Sequence, residues 1–382
     1  MYPNLYYAFK DLFDLDWPFL RFVNSFGFFV AIAFLSAAAL LSKELKRKSS
    51  AGLFQPTETT ILVGEPATLI DLLTNFLLGF ILGFKVIGLF LLDESLQIDP
   101  PTFIFSADGN WAAGILLGVF FTGVKWWEKN KQKLAKPEKR IIRIWPQDRV
   151  GEITMLALIF GLLGAKLFDI FENWSDFLRR PSDYLLSPAG LTMYGGLICA
   201  AVAIGLYAQK HKISFLHLSD SVAPGLMLAY GIGRIGCQVA GDGDWGIVSD
   251  LAMKPSFLPD WFWSYQFPHN VIEEGVPIPG CIGPYCAQLP AGVYPTPLYE
   301  ALASIFLSGV LWSLRKKIRI PGVLFSIYLI FNGLERFLVE KIRVNVKMDL
   351  AGFHPTQAEV ISFLLILTGA ALWWRQKNRN KA

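Results

Sequence analysis

The stretch that decides the fold runs from residue 228 to residue 246 and reads Leu-Ala-Tyr-Gly-Ile-Gly-Arg-Ile-Gly-Cys-Gln-Val-Ala-Gly-Asp-Gly-Asp-Trp-Gly. It begins as an apolar segment and ends as a glycine-rich acidic turn, and Arg234 lies where the two parts meet. A cation within a membrane helix costs about 2.5–3.5 kcal/mol on insertion scales and is usually functional. An arginine near a helix end can instead extend its guanidinium to the interface, so Arg234 alone leaves both interpretations open.

The composition is that of a polytopic membrane protein. The 382 residues are 53% hydrophobic and only 17% charged, and the mean hydropathy is +0.42. A soluble domain carries roughly 25% charged residues. Apolar runs of about 20 residues, long enough to cross a bilayer, recur along the chain. We therefore expect an all-α integral membrane protein built as a helical bundle of about nine transmembrane helices.

Basic clusters set the expected orientation, because positively charged residues stay on the cytoplasmic side of a membrane. The expected spans are residues 20–42, 69–92, 111–127, 150–171, 188–208, 215–240, 297–314, 322–342 and 355–374. Nearly every basic cluster then falls on one side, which places the N-terminus outside and the C-terminus in the cytoplasm. The most basic segment, residues 129–149, resembles a nucleic-acid-binding run, but beside a span it indicates a topogenic and lipid-surface role.

The same pattern suggests a division of the chain. Residues 1–19 form an interfacial leader, and residues 20–149 hold the N-terminal spans, an inserted helix pair and the basic cytoplasmic loop. Residues 150–375 form the core, residues 241–295 form a small loop-rich external cap on it, and residues 376–382 form a basic cytoplasmic tail.

The four cysteines fall into two groups. Cys281 and Cys286 bracket the turn-forming sequence Ile-Gly-Pro-Tyr in the cap. On the outer face a disulfide between them is permitted. A metal site is the alternative, but no further Cys or His cluster accompanies the pair. Cys199 and Cys237 fall in membrane segments and are expected to be buried packing residues.

Polar residues gather near the expected outer ends of the spans. In the eighth span Arg336, Glu340 and Arg343 follow i, i+4, i+7 spacing and share one helix face. An ion-pair network between helices would explain this face. However, the two arginines exceed the one glutamate, and with Arg234 the surplus charge favours an anion site. In a membrane the abundant anion is a lipid phosphate, which a guanidinium grips in bidentate fashion.

Five motifs in order give a resemblance to a known family. They are Thr192-Met193-Tyr194-Gly195-Gly196-Leu197-Ile198, Ser219-Asp220-Ser221-Val222-Ala223-Pro224, the Gly-Arg-Ile-Gly to Trp-Gly stretch at 233–246, the run 294–300 and the run 336–343. Together they resemble the motifs of bacterial prolipoprotein diacylglyceryl transferases. Order and spacing agree from about residue 150 to the C-terminus, and residues 53–149 have no clear counterpart.

The resemblance implies a reaction and a set of roles. The diacylglyceryl group of phosphatidylglycerol would pass to the lipobox cysteine thiol of a prolipoprotein signal peptide, the first step of bacterial lipoprotein maturation. Arg234 and Arg336 would stabilise the leaving phosphate, and Tyr194 would occupy a catalytic position. The expected substrate-binding residues are Asp242, Gly246, Glu340, Arg343, Tyr299, Glu300, Gly195 and Gly196.

The resemblance also implies a setting for that reaction. The protein would be a multi-pass monomer of the bacterial cytoplasmic membrane, whose partners are the bilayer, phosphatidylglycerol and lipobox-bearing prolipoproteins. No motif indicates a metal, a cofactor or a nucleic-acid partner.

The sequence departs from the family pattern at the proton-transfer position. The second motif usually places histidine before Gly-Gly, whereas this chain has Tyr194. A tyrosine with an ordinary pKa near 10 is a poor base at neutral pH. The asparagine expected after Arg-Ile-Gly is Cys237, and the tyrosine expected in the first span is Phe26. The alternative function is therefore a catalytically lapsed homologue that binds anionic phospholipid as a scaffold or lipid handler.

Overall fold

The protein is described by a computed structural model that covers residues 1–91, 103, 106–186, 190, 192–345, 347–349 and 353–379. The helices are α1 (Leu5–Phe13), α2 (Ser25–Ser50), α3 (Leu69–Ile81), α4 (Trp111–Gln132), α5 (Val150–Glu172), α6 (Trp174–Arg179), α7 (Pro181–Leu186), α8 (Met193–Lys210), α9 (Phe215–Ala240), α10 (Asp260–Trp263), α11 (Thr296–Leu314), α12 (Val323–Glu340) and α13 (Gln357–Arg379). Helix α3 continues through a π-helical turn, Leu82–Ile87, to a last helical turn at Gly88–Phe90.

The helical membrane architecture is confirmed, but the number of spans is not. Within the described residues, five helical segments are long and apolar enough to cross a membrane. They are Ser25–Ser50, Leu69–Phe90, Pro146–Glu172, Thr296–Leu314 and Gln357–Arg379. The other four expected spans coincide with α4, α8, α9 and α12. For these four helices, passage through the bilayer stays a prediction.

The expectation of an all-α chain needs one correction, because two small antiparallel sheets form. Strand β1 (Thr57–Val63) pairs with β2 (Glu138–Ile144), in segments that were expected to be loops. Strand β1 contains three threonines, an isoleucine and a valine, and β2 contains three isoleucines. The branched side chains of these residues favour extended backbone. In the cap, β3 (Val276–Pro277) pairs with β4 (Ala287–Gln288).

The chain divides into two compact units. The first comprises Met1–Gln55, Pro146–Thr154 and Ala208–Ala382, and the second comprises Pro56–Trp145 and Met155–Tyr207.

Helix α9 is the centre of the first unit and packs against α2, α11 and α12. Two of its glycines allow this close packing. A Cβ atom on Gly231 would lie 2.9 Å from Ile305 of α11, and one on Gly236 would lie 3.0 Å from Phe29 of α2. Gly233 has no such neighbour within 4 Å. The glycines around Arg234 therefore admit neighbouring helices on two sides.

A buried carboxylate joins α9 to the start of α12. Asp220 of α9 is 5% exposed. Its two oxygens accept hydrogen bonds from the backbone N–H groups of Gly322, at 2.8 Å, and Phe325, at 2.9 Å. The first N–H groups of a helix lack partners within the helix. Asp220 therefore caps α12 from a neighbouring helix.

The leader folds onto the cap. The N-terminal ammonium of Met1 donates to the carbonyl of Pro268 at 2.7 Å, and the N–H of Tyr2 donates to Val239 at 2.8 Å. The cap has its own apolar core of Trp245, Phe267, Leu289 and Val293. Asn270 is fully buried beside it, and its side chain binds the backbone of Phe267, Glu274 and Ala287.

In the second unit, α3 and α4 pack closely through glycines. A Cβ atom on Gly79 would lie 2.5 Å from the carbonyl oxygen of Leu117. Lys85, in the π-helical turn, donates to the carbonyls of Phe103, Ser106 and Asp108 at 2.9, 2.6 and 2.6 Å. These three oxygens replace the water that an ammonium group loses in an apolar setting.

Candidate active site

The site is built around Glu300, whose side chain is completely buried on α11. The Nε atom of Arg234, on α9, lies 2.6 Å from its Oε2. A guanidinium nitrogen of Arg336, on α12, lies 2.7 Å from its Oε1. The two arginines thus converge as expected, but on a carboxylate of the protein. Each guanidinium and its partner are held out of water, where the attraction between charges is strong.

Asp244, in the turn after α9, forms a second carboxylate bridge. Its Oδ2 pairs with Arg234, and its Oδ1 lies 2.5 Å from Nη2 of Arg343. Arg343 also reaches Oε1 of Glu300 at 3.3 Å. Burial alone would raise the pKa of Asp244, but the two guanidinium groups outweigh burial and hold that pKa below its ordinary value. Asp244 is therefore a carboxylate at neutral pH.

Gly246 allows two backbone segments to lie side by side at the site. It forms an isolated antiparallel β-bridge with Arg343, and its N–H donates to Tyr294 at 2.9 Å. A Cβ atom on Gly246 would lie 2.5 Å from the carbonyl oxygen of Ile342 and 3.0 Å from Thr296. Because no side chain fits in that space, glycine at this position brings Asp244 and Arg343 together.

Glu340 holds the far side of Arg336. Its Oε2 lies 3.0 Å from Nη2 of Arg336, and its Oε1 accepts a hydrogen bond from Asn345 at 2.6 Å. The i, i+4 spacing of Arg336 and Glu340 on α12 thus gives an ion pair within the helix.

The expected surplus of positive charge is not what the cluster contains. Arg234, Arg336 and Arg343 are paired with Asp244, Glu300 and Glu340. The surplus was expected because only Glu340 was set against the arginines, whereas Glu300 and Asp244 also pair with them. Three buried cations need partners in an apolar interior, and carboxylates of the protein supply them.

Among the described residues, Asp242 forms no ion pair with an arginine. Its carboxylate lies beside the Cys237 thiol and accepts the N–H of Asp244 at 3.4 Å. Burial raises the pKa of Asp242 above its ordinary value, and neighbouring Asp244 adds to the rise. Ligand atoms of Cys237, Asp242 and Asp244 lie within 4.8 Å of one another. Since both oxygens of Asp244 already bind arginines, the set suits a metal ion poorly.

The side chain of Tyr299 contacts the cap. Its hydroxyl donates to the carbonyl of Phe262 at 2.6 Å, and its ring packs against that of Phe262. This contact anchors the start of α11 to the short helix α10. Its expected role in substrate binding stays a prediction.

The Tyr194-Gly195-Gly196 motif lies in the second unit, at the start of α8. A Cβ atom on Gly195 would lie 2.6 Å from the carbonyl oxygen of Gly164 in α5. One on Gly196 would lie 2.7 Å from that of Gly161. The two glycines thus allow α5 and α8 to touch. The catalytic role of Tyr194 and the substrate-binding roles of both glycines remain proposals.

The cap cysteines are joined. Cys281 and Cys286 form a disulfide, with their Cα atoms 5.6 Å apart. Cys199 and Cys237 are free thiols, and Cys237 is buried.

Sequence reasoning missed two members of the cluster. Tyr230 places its ring beside Arg234, with the guanidinium carbon 5.1 Å from the ring centroid. Glu335 is 5% exposed and interacts electrostatically with Glu300 and the three arginines. Glu335 directly precedes the run 336–343, and that position was the only available signal.

The fold and the site define a helical membrane protein with a buried arginine–carboxylate cluster in its core. Residues 109–375 match the family model of the prolipoprotein diacylglyceryl transferases. This chain belongs to that family. The match begins at residue 109, so residues 109–149, for which no clear counterpart was expected, lie within the matched region.

Relatives agree with this assignment. A phosphatidylglycerol–prolipoprotein diacylglyceryl transferase of Clostridium novyi is 32% identical over 236 residues, which cover 62% of this chain and 82% of the relative. One from Shouchella clausii is 28% identical, covering 60% and 75%. One from Staphylococcus haemolyticus is 25% identical over 282 residues, covering 72% and 87%.

Proposed function

We propose that this protein transfers the diacylglyceryl group of phosphatidylglycerol to the lipobox cysteine of prolipoproteins. The thiol sulfur bonds to the glyceryl carbon, the carbon–oxygen bond to the phosphate breaks, and glycerol phosphate leaves. The observation that carries the proposal is the convergence of Arg234 and Arg336 on Glu300, within the region that matches the family. Guanidinium groups fixed in a buried site stabilise charge that develops on a departing phosphate oxygen.

The paired carboxylates fit this role as orienting groups. Glu300 and Asp244 hold the guanidinium forks of Arg234 and Arg343 in place, so little reorganisation is needed when a phosphate arrives. Asp242 and Glu340 belong to the same region and are assigned to headgroup contacts and to the orientation of Arg336. Tyr194 is assigned a catalytic position, in place of the usual histidine.

The protein is proposed to be a monomer of the bacterial cytoplasmic membrane with nine transmembrane helices. The basic clusters support an external N-terminus and a cytoplasmic C-terminus. The cap would then lie outside, where prolipoproteins present their cysteines, and its Cys281–Cys286 disulfide suits an oxidising compartment.

A lapsed homologue that only binds anionic phospholipid is the second candidate. Two observations favour it. Tyr194 replaces the histidine of the second motif, and the three arginines are already paired with three carboxylates. Such a protein would hold phosphatidylglycerol without releasing glycerol phosphate.

The deciding experiment incubates the purified protein with phosphatidylglycerol and a lipobox peptide, and detects the thioether by mass spectrometry. A peptide with serine in place of cysteine is the control for the acceptor. We expect the peptide to gain a diacylglyceryl group as glycerol phosphate is released. Binding of phosphatidylglycerol with no thioether product would favour the lapsed homologue.

A further inference from the structure

Glu335 is the acid of the cluster that the proposed reaction has not used. It lies on α12 directly before Arg336 and is 5% exposed. Within the described part of the chain, neither of its carboxyl oxygens has a hydrogen-bond partner. A buried carboxyl group without hydrogen bonds is costly to the fold, and such groups call for a functional explanation.

The surroundings of Glu335 place it in the site. It interacts electrostatically with Glu300 of α11, with Arg234 of α9, and with Arg336 and Arg343. Tyr230 of α9 interacts electrostatically with Glu335 too, and its buried hydroxyl also lacks a hydrogen-bond partner among the described residues. The Glu335 carboxyl group of α12 and the Tyr230 hydroxyl of α9 therefore belong to the same cluster as the arginines.

The other acids of the cluster already have charged partners. Glu300, Asp244 and Glu340 each form an ion pair with at least one guanidinium group, so their oxygens are occupied. Asp242 is engaged with the Cys237 thiol and the backbone of Asp244. Among the described residues, Glu335 is the acid of the cluster whose carboxyl oxygens have neither an ion pair nor a hydrogen bond.

The proposed reaction needs such a group. The nucleophile is a thiolate, whereas a free cysteine thiol with a pKa near 8.5 is mostly protonated at neutral pH. The histidine usual before Gly-Gly is Tyr194 in this chain. A general base must approach within hydrogen-bond distance of the proton that it removes.

We propose that the Glu335 carboxylate takes the proton of the substrate cysteine thiol during diacylglyceryl transfer. The proton passes from sulfur to a Glu335 oxygen as the sulfur lone pair forms the bond to the glyceryl carbon. The electron pair of the broken carbon–oxygen bond leaves on the glycerol phosphate, beside Arg234 and Arg336. The proton held by Glu335 then passes to the departing phosphate or to water, which restores the carboxylate. This assignment rests on the proposed transferase activity.

The test compares the wild type with Glu335→Gln on two peptides, one with a lipobox cysteine and one with selenocysteine in its place. A selenol is more acidic than a thiol and is ionised at neutral pH without a base. With the cysteine peptide, Glu335→Gln should lower the rate about 100-fold or more at neutral pH, the size of a general-base contribution. The loss should shrink as pH rises and solvent ionises the thiol. With the selenocysteine peptide the two proteins should react at similar rates.

Glu274→Gln is the matched control, because Glu274 is an exposed glutamate of the cap. It should react as the wild type does with both peptides. If Glu335→Gln keeps the wild-type rate and pH profile on cysteine, or loses both peptides equally, Glu335 is not the base. If the wild type itself makes no thioether from either peptide, the transferase proposal fails instead.

A wild-type measurement covers the case in which Glu335→Gln does not fold. The rate on the cysteine peptide should fall in acid as Glu335 takes up a proton. That acid limb should vanish with the selenocysteine peptide. An identical acid limb with both peptides would overturn the assignment.

Discussion

Gly246 and Arg343 pair through an isolated antiparallel β-bridge, which ties the turn after α9 to the chain that leaves α12. The pairing brings the Asp244 carboxylate to within 2.5 Å of a guanidinium nitrogen of Arg343. Two segments that are distant in sequence thus meet at the site because Gly246, at their point of contact, has no side chain.

Gly246→Ala should therefore damage the site. Its Cβ atom would lie 2.5 Å from the carbonyl oxygen of Ile342, so the backbone must move. We expect a stability loss of about 1–3 kcal/mol, as in other overpacked sites. The rate should fall about 100-fold, the effect of a displacement of roughly 1 Å. Thermal unfolding and thioether formation measure the two effects. Gly309→Ala is the control, since a Cβ there meets nothing within 4 Å, and an equal loss in both variants would contradict this account.

Arg234→Lys and Arg336→Lys should each lower kcat/KM at least about 100-fold, or roughly 2.7–4 kcal/mol, the cost of removing one fixed donor to a developing oxyanion. An ammonium group cannot reproduce the fork that reaches two acceptors at once. Arg375→Lys, at an exposed position of α13, should be neutral. Near-wild-type rates in either site variant would remove the main physical support for the transferase proposal.

Tyr194→Phe should lower turnover about 100-fold if the hydroxyl takes part in proton transfer or positioning. Tyr194→His should be tolerated or should raise the rate, because histidine is the usual residue at this place in the family motif. Steady-state rates on the cysteine peptide measure both. Equal activity in the wild type and Tyr194→Phe would exclude a catalytic role for the hydroxyl and leave Glu335 and the arginines as the remaining candidates.

The topology can be tested by cysteine labelling in intact cells. A cysteine at Lys136, in the basic segment, should react with an impermeant reagent only after the cells are opened. A cysteine at Met253, which is 72% exposed in the cap, should react from outside. Unmodified protein controls for the native thiols. Labelling of the Lys136 position from outside would reverse the orientation given by the charge bias.

Reduction of the Cys281–Cys286 disulfide should have a small effect. The bond closes a loop with a sequence separation of only 5, so its contribution should be about 2 kcal/mol or less. Thermal unfolding of a Cys281→Ser, Cys286→Ser protein measures it. Loss of all activity in that protein, despite intact folding, would show that the cap loop has a role beyond stability.

Charge and hydropathy were sufficient to predict the helical membrane fold and the meeting of Arg234 with Arg336. A buried arginine needs a partner, and two arginines near the same expected ends of their spans favour a shared site. The identity of the partners was not predictable. Glu300 stands far from both arginines in sequence, and only the packing of α11 against α9 and α12 brings it between them. The role of Glu335 was not predictable for the same reason. Only the packing of three helices buries its carboxyl group without a hydrogen-bond partner among the described residues.

The hydrogen bonds from the start of α12 to Asp220 fix the axial position of α12 relative to α9. At about 1.5 Å per residue, Arg234 stands about 21 Å along α9 from Asp220, and Arg336 about 16 Å along α12 from Phe325. The Asp220 contact therefore resists axial sliding of one helix against the other, although it lies far from the reacting atoms. A substitution of Asp220 would let one helix shift along its axis relative to the other. The guanidinium groups of Arg234 and Arg336 would then be misaligned, although neither residue had been changed.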